Sequence, residues 1–132
     1  MTQSAVETTP VPGWLLDIYH DIDTQQFSAG FACYADDAEM YFGTTHIRGV
    51  DAIRAFLREL DTPLTTLHTV FEFWDLGGVK IVRGEALIAE KVAPENVSTM
   101  PFVHLFYMSD VDPALVCVHR AVVGPADTDE LT

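Results

Sequence analysis

Apolar positions recur at two different periods along the chain, and the change of period divides it. Pro12 suits the first turn of a helix, where its missing N–H would be unpaired anyway. Trp14, Leu15, Ile18, Tyr19 and Ile22 then follow at helical spacing. Thr24 is suited to cap a second helix that carries Phe27, Phe31 and Tyr34 on one face and ends near Asp36 and Asp37. A short strand is expected over 39–42 and a loop between Gly43 and Gly49. A third helix, on Asp51, Ile53, Phe56, Leu57 and Leu60, is ended by Pro63. Beyond Pro63 the period becomes two. Residues 67–75, 79–92, 102–110 and 115–123 read as strands, with turns at Gly77-Gly78, Pro94-Glu95-Asn96 and Asp112-Pro113. Helices gathered ahead of an antiparallel sheet define an α+β domain, and strands of this length must curl to cover three helices.

The 132 residues suit one domain, and 48% hydrophobic residues suffice for a substantial core. The expected organisation is a flexible arm over 1–11, a folded domain over 12–124 and an acidic tail over 125–132. Twenty acidic residues against seven Lys and Arg give a formal charge of -13. That sign repels nucleic-acid phosphates and anionic membrane surfaces, so neither is an expected partner. No apolar run approaches the roughly 20 residues that span a bilayer. The first ten residues lack the basic start and apolar core of a signal peptide, so a cytoplasmic protein is expected. Cys33 and Cys117 form neither a disulfide framework nor a metal-ligand spacing and are expected as inert buried thiols.

The order of elements, with the segments Tyr34-Ala35-Asp36-Asp37-Ala38, Arg48-Gly49-Val50-Asp51-Ala52-Ile53 and Pro101-Phe102-Val103-His104-Leu105-Phe106, resembles the SnoaL-like polyketide cyclases, ketosteroid isomerases and limonene epoxide hydrolases. All belong to the nuclear-transport-factor-2-like superfamily. The resemblance covers about Trp14 to Val123. It implies a cone-shaped, curved antiparallel sheet wrapped on three N-terminal helices around one buried pocket. It also implies missing parts. Where the isomerases keep a general-base aspartate on the first strand stands Phe42, with Met40 two residues before it. Their oxyanion tyrosine falls near Ile18, one step from Tyr19, and their protonated aspartate at His104. Arg83-Gly84-Glu85 resembles the Arg-x-Asp pair of the epoxide hydrolases. Their second aspartate aligns with Ala121, and their water-binding Tyr and Asn with Met40 and Phe42.

Strand alternation tests these positions independently, because residues two apart share a face. His104 shares its face with Phe102, Phe106 and Met108, and His119 with Cys117, Ala121 and Val123, so both are expected inside. His68 shares parity with Val70, Glu72 and Trp74 while Leu67, Phe71 and Phe73 lie opposite, which leaves its face open. Glu85 is equally open between a buried carboxylate and a surface residue paired with Arg83 or Lys91. Three histidines in one sheet suit acid–base work near neutral pH, or hydrogen bonds within the core. No close two-histidine spacing suggests a metal.

These readings converge on a cofactor-independent isomerase, cyclase or lyase acting on a small hydrophobic carbonyl or polyketide-like compound. His104 and Glu85 would exchange the proton, and His119 and His68 would orient substrate or stabilise an enolate. Trp14, Tyr19, Met40, Phe42, Trp74 and Arg83 would bind it. Two other readings stay open: a noncatalytic ligand-binding or dimerisation module, and an epoxide-opening enzyme built on Arg83 and Glu85. His46 is placed in the loop before the third helix. A homodimer is expected, with Leu67, Phe71, Phe73 and Val118 on the outer face of the sheet. No metal or cofactor is expected, so chelation should change nothing.

Overall fold

The structure, a computed structural model, describes residues 8–123. Residues 1–7 of the expected arm and the expected acidic tail, 125–132, lie outside the described residues. Helix α1 (Gly13–Asp23) is followed by a 3-10 turn (Ala29–Cys33), strands β1 (Tyr34–Phe42) and β2 (Thr45–Arg48), and helix α2 (Val50–Asp61). Four further strands follow: β3 (Leu64–Asp75), β4 (Val79–Glu90), β5 (Ala93–Met108) and β6 (Val116–Val123). They form one curved, unclosed sheet in the order β2-β1-β6-β5-β4-β3. Every neighbouring pair is antiparallel except β1 with β6, which is parallel. No helix among the described residues is long and apolar enough to cross a membrane.

The α+β architecture matches the expectation, but its second helix is replaced by the short 3-10 turn. Two local interactions account for this. Thr24 turns back instead of forward, its hydroxyl donating to the His20 carbonyl at the end of α1. The buried Asp21 carboxylate then accepts from the backbone N–H groups of Ser28 and Gly30. A Cβ at Gly30 would collide with the Asp17 carbonyl, so this glycine is what lets the turn lie against α1. Tyr34 is thereby released from the helical set and becomes the first residue of β1.

Helix α2 buries Ile53, Leu57 and Asp61, spaced by four, on one face. Arg54 and Arg58 lie over the rings of Phe31 and Phe27. The Gln25 side chain closes the far end of α2 by donating to the carbonyls of Asp61 and Leu64. The core joins this face to α1 through Leu15, Ile18 and Ile22 and to the inner sheet face through Met40, Val82, Phe102 and Phe106.

Two bulges revise the strand readings. Glu90 pairs with Ala93 and Ala89 with Val97, so Pro94-Glu95-Asn96 is a bulge inside β5 and the turn lies at Lys91 and Val92. A proline cannot donate to the ladder and is tolerated at such a point. In β3, Val70 pairs with Gly84 and Glu72 with Arg83, leaving Phe71 as an extra residue. One inserted residue moves all later side chains to the other face. His68 therefore faces inward with Val70, while Phe73 is also inward, only 3% exposed, and not on the outer face where alternation alone put it. Leu67 and Phe71 remain exposed. Cys33 and Cys117 are free thiols, half-buried and not fully enclosed.

Gly84 sits opposite the bulge, where a Cβ would run into the Thr69 carbonyl and the Phe102 ring. Gly84→Ala should therefore lower stability by roughly 1–3 kcal/mol. Gly78→Ala, with nothing within 4 Å, should stay within about 0.5 kcal/mol of the parent in urea denaturation.

Candidate active site

The curl of the sheet leaves a cavity of about 290 Å³, open on one side, between α1, α2 and the inner faces of all the long strands. Its wall is mostly apolar, with Met40, Phe42, Leu57, Ile88, Met100 and Phe102 prominent. Five polar side chains interrupt that wall: His68, His104, His119, Thr66 and Asp61. Leu60, 41% exposed, marks the open side.

Each histidine is fastened through Nδ1 to a different partner. Asp23, at the end of α1, accepts at Oδ1 from His68 Nδ1 (2.6 Å) and Thr66 Oγ1 (2.8 Å) and at Oδ2 from the His68 backbone N–H (2.8 Å). A carboxylate holding three donors takes the Nδ1 proton as a donor's, which leaves the lone pair of His68 on Nε2. His104 Nδ1 lies 2.8 Å from the Tyr19 hydroxyl, and His119 Nδ1 2.8 Å from that of Tyr34. A phenol is the better donor and an imidazole nitrogen the better acceptor, so both rings are assigned the tautomer with the proton on Nε2. His119 Nε2 is buried without a hydrogen-bond partner. The two rings are 4.8 Å apart, centre to centre.

Burial keeps both of these imidazoles uncharged. It pushes His119 down to about 3 from the ordinary 6.5, and holds His104 well below that value, helped by the neighbouring rings of His119 and His68, which disfavour a further positive charge. Burial likewise raises the Tyr19 and Tyr34 hydroxyls well above their usual range, so both stay protonated as donors. Asp61, at the last turn of α2, is only 7% exposed. Burial raises its pKa to about 6, with His68 pulling down and Asp23 pushing up.

Among the expected site residues, His104, His119, His68, Met40 and Phe42 line the cavity, and Tyr19 supports it from behind. The others stand elsewhere. Glu85 lies on the outer sheet face, opposite in alternation to the lining Ala86. Arg83 shares that face, ion-paired with Glu72 (2.5 Å) and over the Phe71 ring. Trp74 alternates with the buried Phe73 and is also outward, while Trp14 packs edge-on against Phe106 at the other end of the core. His46 is in β2, 2.7 Å from Glu39 and stacked on Tyr41.

No known family's sequence profile matches the chain, and no curated protein is similar to it in sequence. Solved structures are similar in shape. A ketosteroid isomerase-like protein from Catenulispora acidiphila, in complex with trimethylamine, superimposes with a TM-score of 0.74 at 12% identity, covering 86% of each chain. TerC, co-crystallised with polyporic acid, gives 0.72 at 18% identity, covering 89% of this chain and 92% of its own. An LEH-like epoxide hydrolase from M. tuberculosis gives 0.71 at 13%, covering 89% and 84%. The fold is nuclear-transport-factor-2-like. SnoaL-like polyketide cyclases of Shewanella species have it too.

Within this nuclear-transport-factor-2-like frame, four polar residues escaped the sequence reading: Asp23, Tyr34, Asp61 and Thr66. Asp61 carried a signal, being an acid spaced by four from Leu57 and by eight from Ile53 on the buried face of α2. Tyr34 and Asp23 gain their roles only through partners 85 and 45 residues away. No group of three or more His, Cys, Asp or Glu among the described residues is arranged to hold a metal ion.

His119 and His104 bind protons in the unfolded chain that they refuse when folded. Their stabilising contribution is complete above pH 6.5 and is lost as pH falls towards their folded values, about 3 for His119. At pH 5 His119 should cost on the order of 2 kcal/mol, and His104 acts in the same direction. Asp61, whose folded value is raised, offsets part of this between pH 6 and 4. Thermal unfolding should show the midpoint falling from pH 7 to pH 5, and His119→Gln should make that fall shallower.

Proposed function

We propose that the protein is a cofactor-independent acid–base enzyme acting on a small hydrophobic carbonyl compound, with His68 as the base. The observation that carries this reading is the Asp23–His68 pair. Its Nδ1 side is anchored at 2.6 Å and its Nε2 is left for the cavity. A base held in one tautomer by a carboxylate and facing an apolar space is suited to removing a proton next to a carbonyl. Charge that develops on the carbonyl oxygen would meet the Nε2–H groups of His104 and His119. These are neutral donors with little water to compete with them, the condition under which fixed dipoles stabilise an enolate best. Return of the proton to a different carbon gives isomerisation, and attack by the enolate on a second carbonyl in the same molecule gives cyclisation.

Relative to the sequence reading, this moves the base from the His104 and Glu85 partnership to His68. His104 and His119 become the oxygen-binding pair. The epoxide-opening alternative has an LEH-like epoxide hydrolase among the structural neighbours but loses the pair it was built on, because Arg83 and Glu85 both stand outside the cavity. A space of about 290 Å³ is at the lower end of ligand pockets, which begin near 300 Å³, and suits one or two rings.

Two measurements test the proposal. Small ring-containing ketones incubated in D2O should exchange their α-hydrogens faster with the protein present. His68→Gln should slow this by roughly 10²- to 10⁴-fold while leaving the thermal midpoint close to the parent's. Binding without accelerated exchange for any of them would favour the noncatalytic module.

The outer face of the sheet supports a second proposal, a homodimer. Leu67, Leu87, Val97 and Val122 are each more than 40% exposed on that side, apolar positions that a second copy packed on this face would cover. Light scattering at micromolar concentration should give about twice the 14.6 kDa chain mass. A Leu67→Glu, Val122→Glu double variant should halve it.

A further inference from the structure

Asp61 is the polar group of the cavity that the proton-transfer scheme leaves unused. Its residue is 93% enclosed by the 7% exposure quoted above, its side chain lines the cavity, and its carboxyl oxygens have no hydrogen-bond or ion-pair partner among the described residues. Only its backbone carbonyl is bonded, to Gln25. Buried carboxyls are ordinarily paired, because an unpaired one costs free energy each time it ionises. No neighbouring cation among the described residues pairs with it directly. No Lys or Arg lines the cavity. Lys91 reaches this end of the fold only through Gln25, whose Oε1 it holds at 2.8 Å. His104 and His119 are neutral, and His68 is already engaged by Asp23. Phe42 and Phe102 line the same cavity, and aromatic rings can attract a cation at their faces.

We propose that the ligand of this cavity is a small hydrophobic carbonyl compound that also carries an amine, its ammonium group pairing with the Asp61 carboxylate. The inference rests on the carbonyl reading above for the reacting end of the substrate and adds the opposite end. It divides the cavity into two poles, neutral N–H donors on β5 and β6 for an oxygen and a carboxylate on α2 for a cation. Carboxylate-bearing and phosphate-bearing compounds are excluded by the same arrangement, since nothing in the wall would balance a second negative charge. A bound ammonium also supplies what Asp61 lacks, which explains why an acid sits on the buried face of α2 at all.

Three probes of one shape and different charge test this: benzylamine, benzyl alcohol and benzoate, titrated by calorimetry at pH 7.5. Benzylamine should bind at least tenfold more tightly than benzyl alcohol, and benzoate more weakly than either. Asp61→Asn should erase the preference for the amine while keeping affinity for the alcohol, and Glu85→Gln, on the outer face, should leave the ranking intact. In case Asp61→Asn does not fold, the carboxyl carbon of Asp61 in the labelled parent should shift on adding benzylamine and not on adding benzyl alcohol. Equal binding of amine and alcohol, or a ranking unchanged in Asp61→Asn, overturns the inference. The deuterium-exchange test is independent of it: exchange of neutral ketones without amine preference sinks only the inference, and amine preference without exchange sinks only the enzyme.

Discussion

A hydrogen-bonding group inside an apolar cone must find a partner or lose more free energy than its neighbours can return. Three imidazoles face the cavity, and each meets this requirement at Nδ1, which is tied outward to a residue from the helical side of the fold or the first strand, while His119 Nε2 stays unpaired among the described residues. Asp23 and Tyr19 come from α1 and Tyr34 from the start of β1, while the histidines come from β3, β5 and β6. The two bonds from α1 thus hold the helix to the sheet at the same points at which they orient the rings, and the Tyr34 bond ties β1 to β6. Apolar packing alone would permit α1 to slide or rotate. Two directional bonds at 2.8 and 2.6 Å do not.

The difference between the partners has chemical weight. A carboxylate on Nδ1 leaves an acceptor on the far nitrogen, whereas a phenol donating to Nδ1 leaves a donor there. One cavity therefore contains both kinds of imidazole, set apart by what lies behind them and not by their own burial. Burial does the remaining part, since His104 and His119 cannot charge at neutral pH and so present a fixed donor over the working range.

Much of this was legible in the chain. The change from helical to alternating period at Pro63 located the sheet, and the parity of His104 and His119 put both rings inside. Parity failed where the backbone inserted a residue: the bulge at Phe71 reverses the face of everything after Val70, so Phe73 was misplaced and His68 could not be decided. The second helix failed for a related reason. Its apolar spacing is genuine, but the carboxylate of Asp21, one turn earlier in α1, captures the backbone groups that a helix would have needed. Partners such as Asp23 and Tyr34 depend on contacts between distant segments, which no local period encodes.

The position of β6 in the sheet bears on how the chain reaches this state. It lies between β1, its parallel neighbour, and β5, so it joins the β1–β2 hairpin to the β3–β4–β5 meander. Each of those halves can pair locally as it emerges during synthesis, but neither is joined to the other until β6 enters between them. Such long-range closure is slow relative to hairpin formation. Because β6 carries His119, the His104–His119 pair is completed in the same event that closes the sheet. A nascent chain that stops short of β6 thus has two half-sheets with open edges and a pocket that lacks one wall, which makes the gap left by this strand the point at which an arrested chain is most exposed to mispairing.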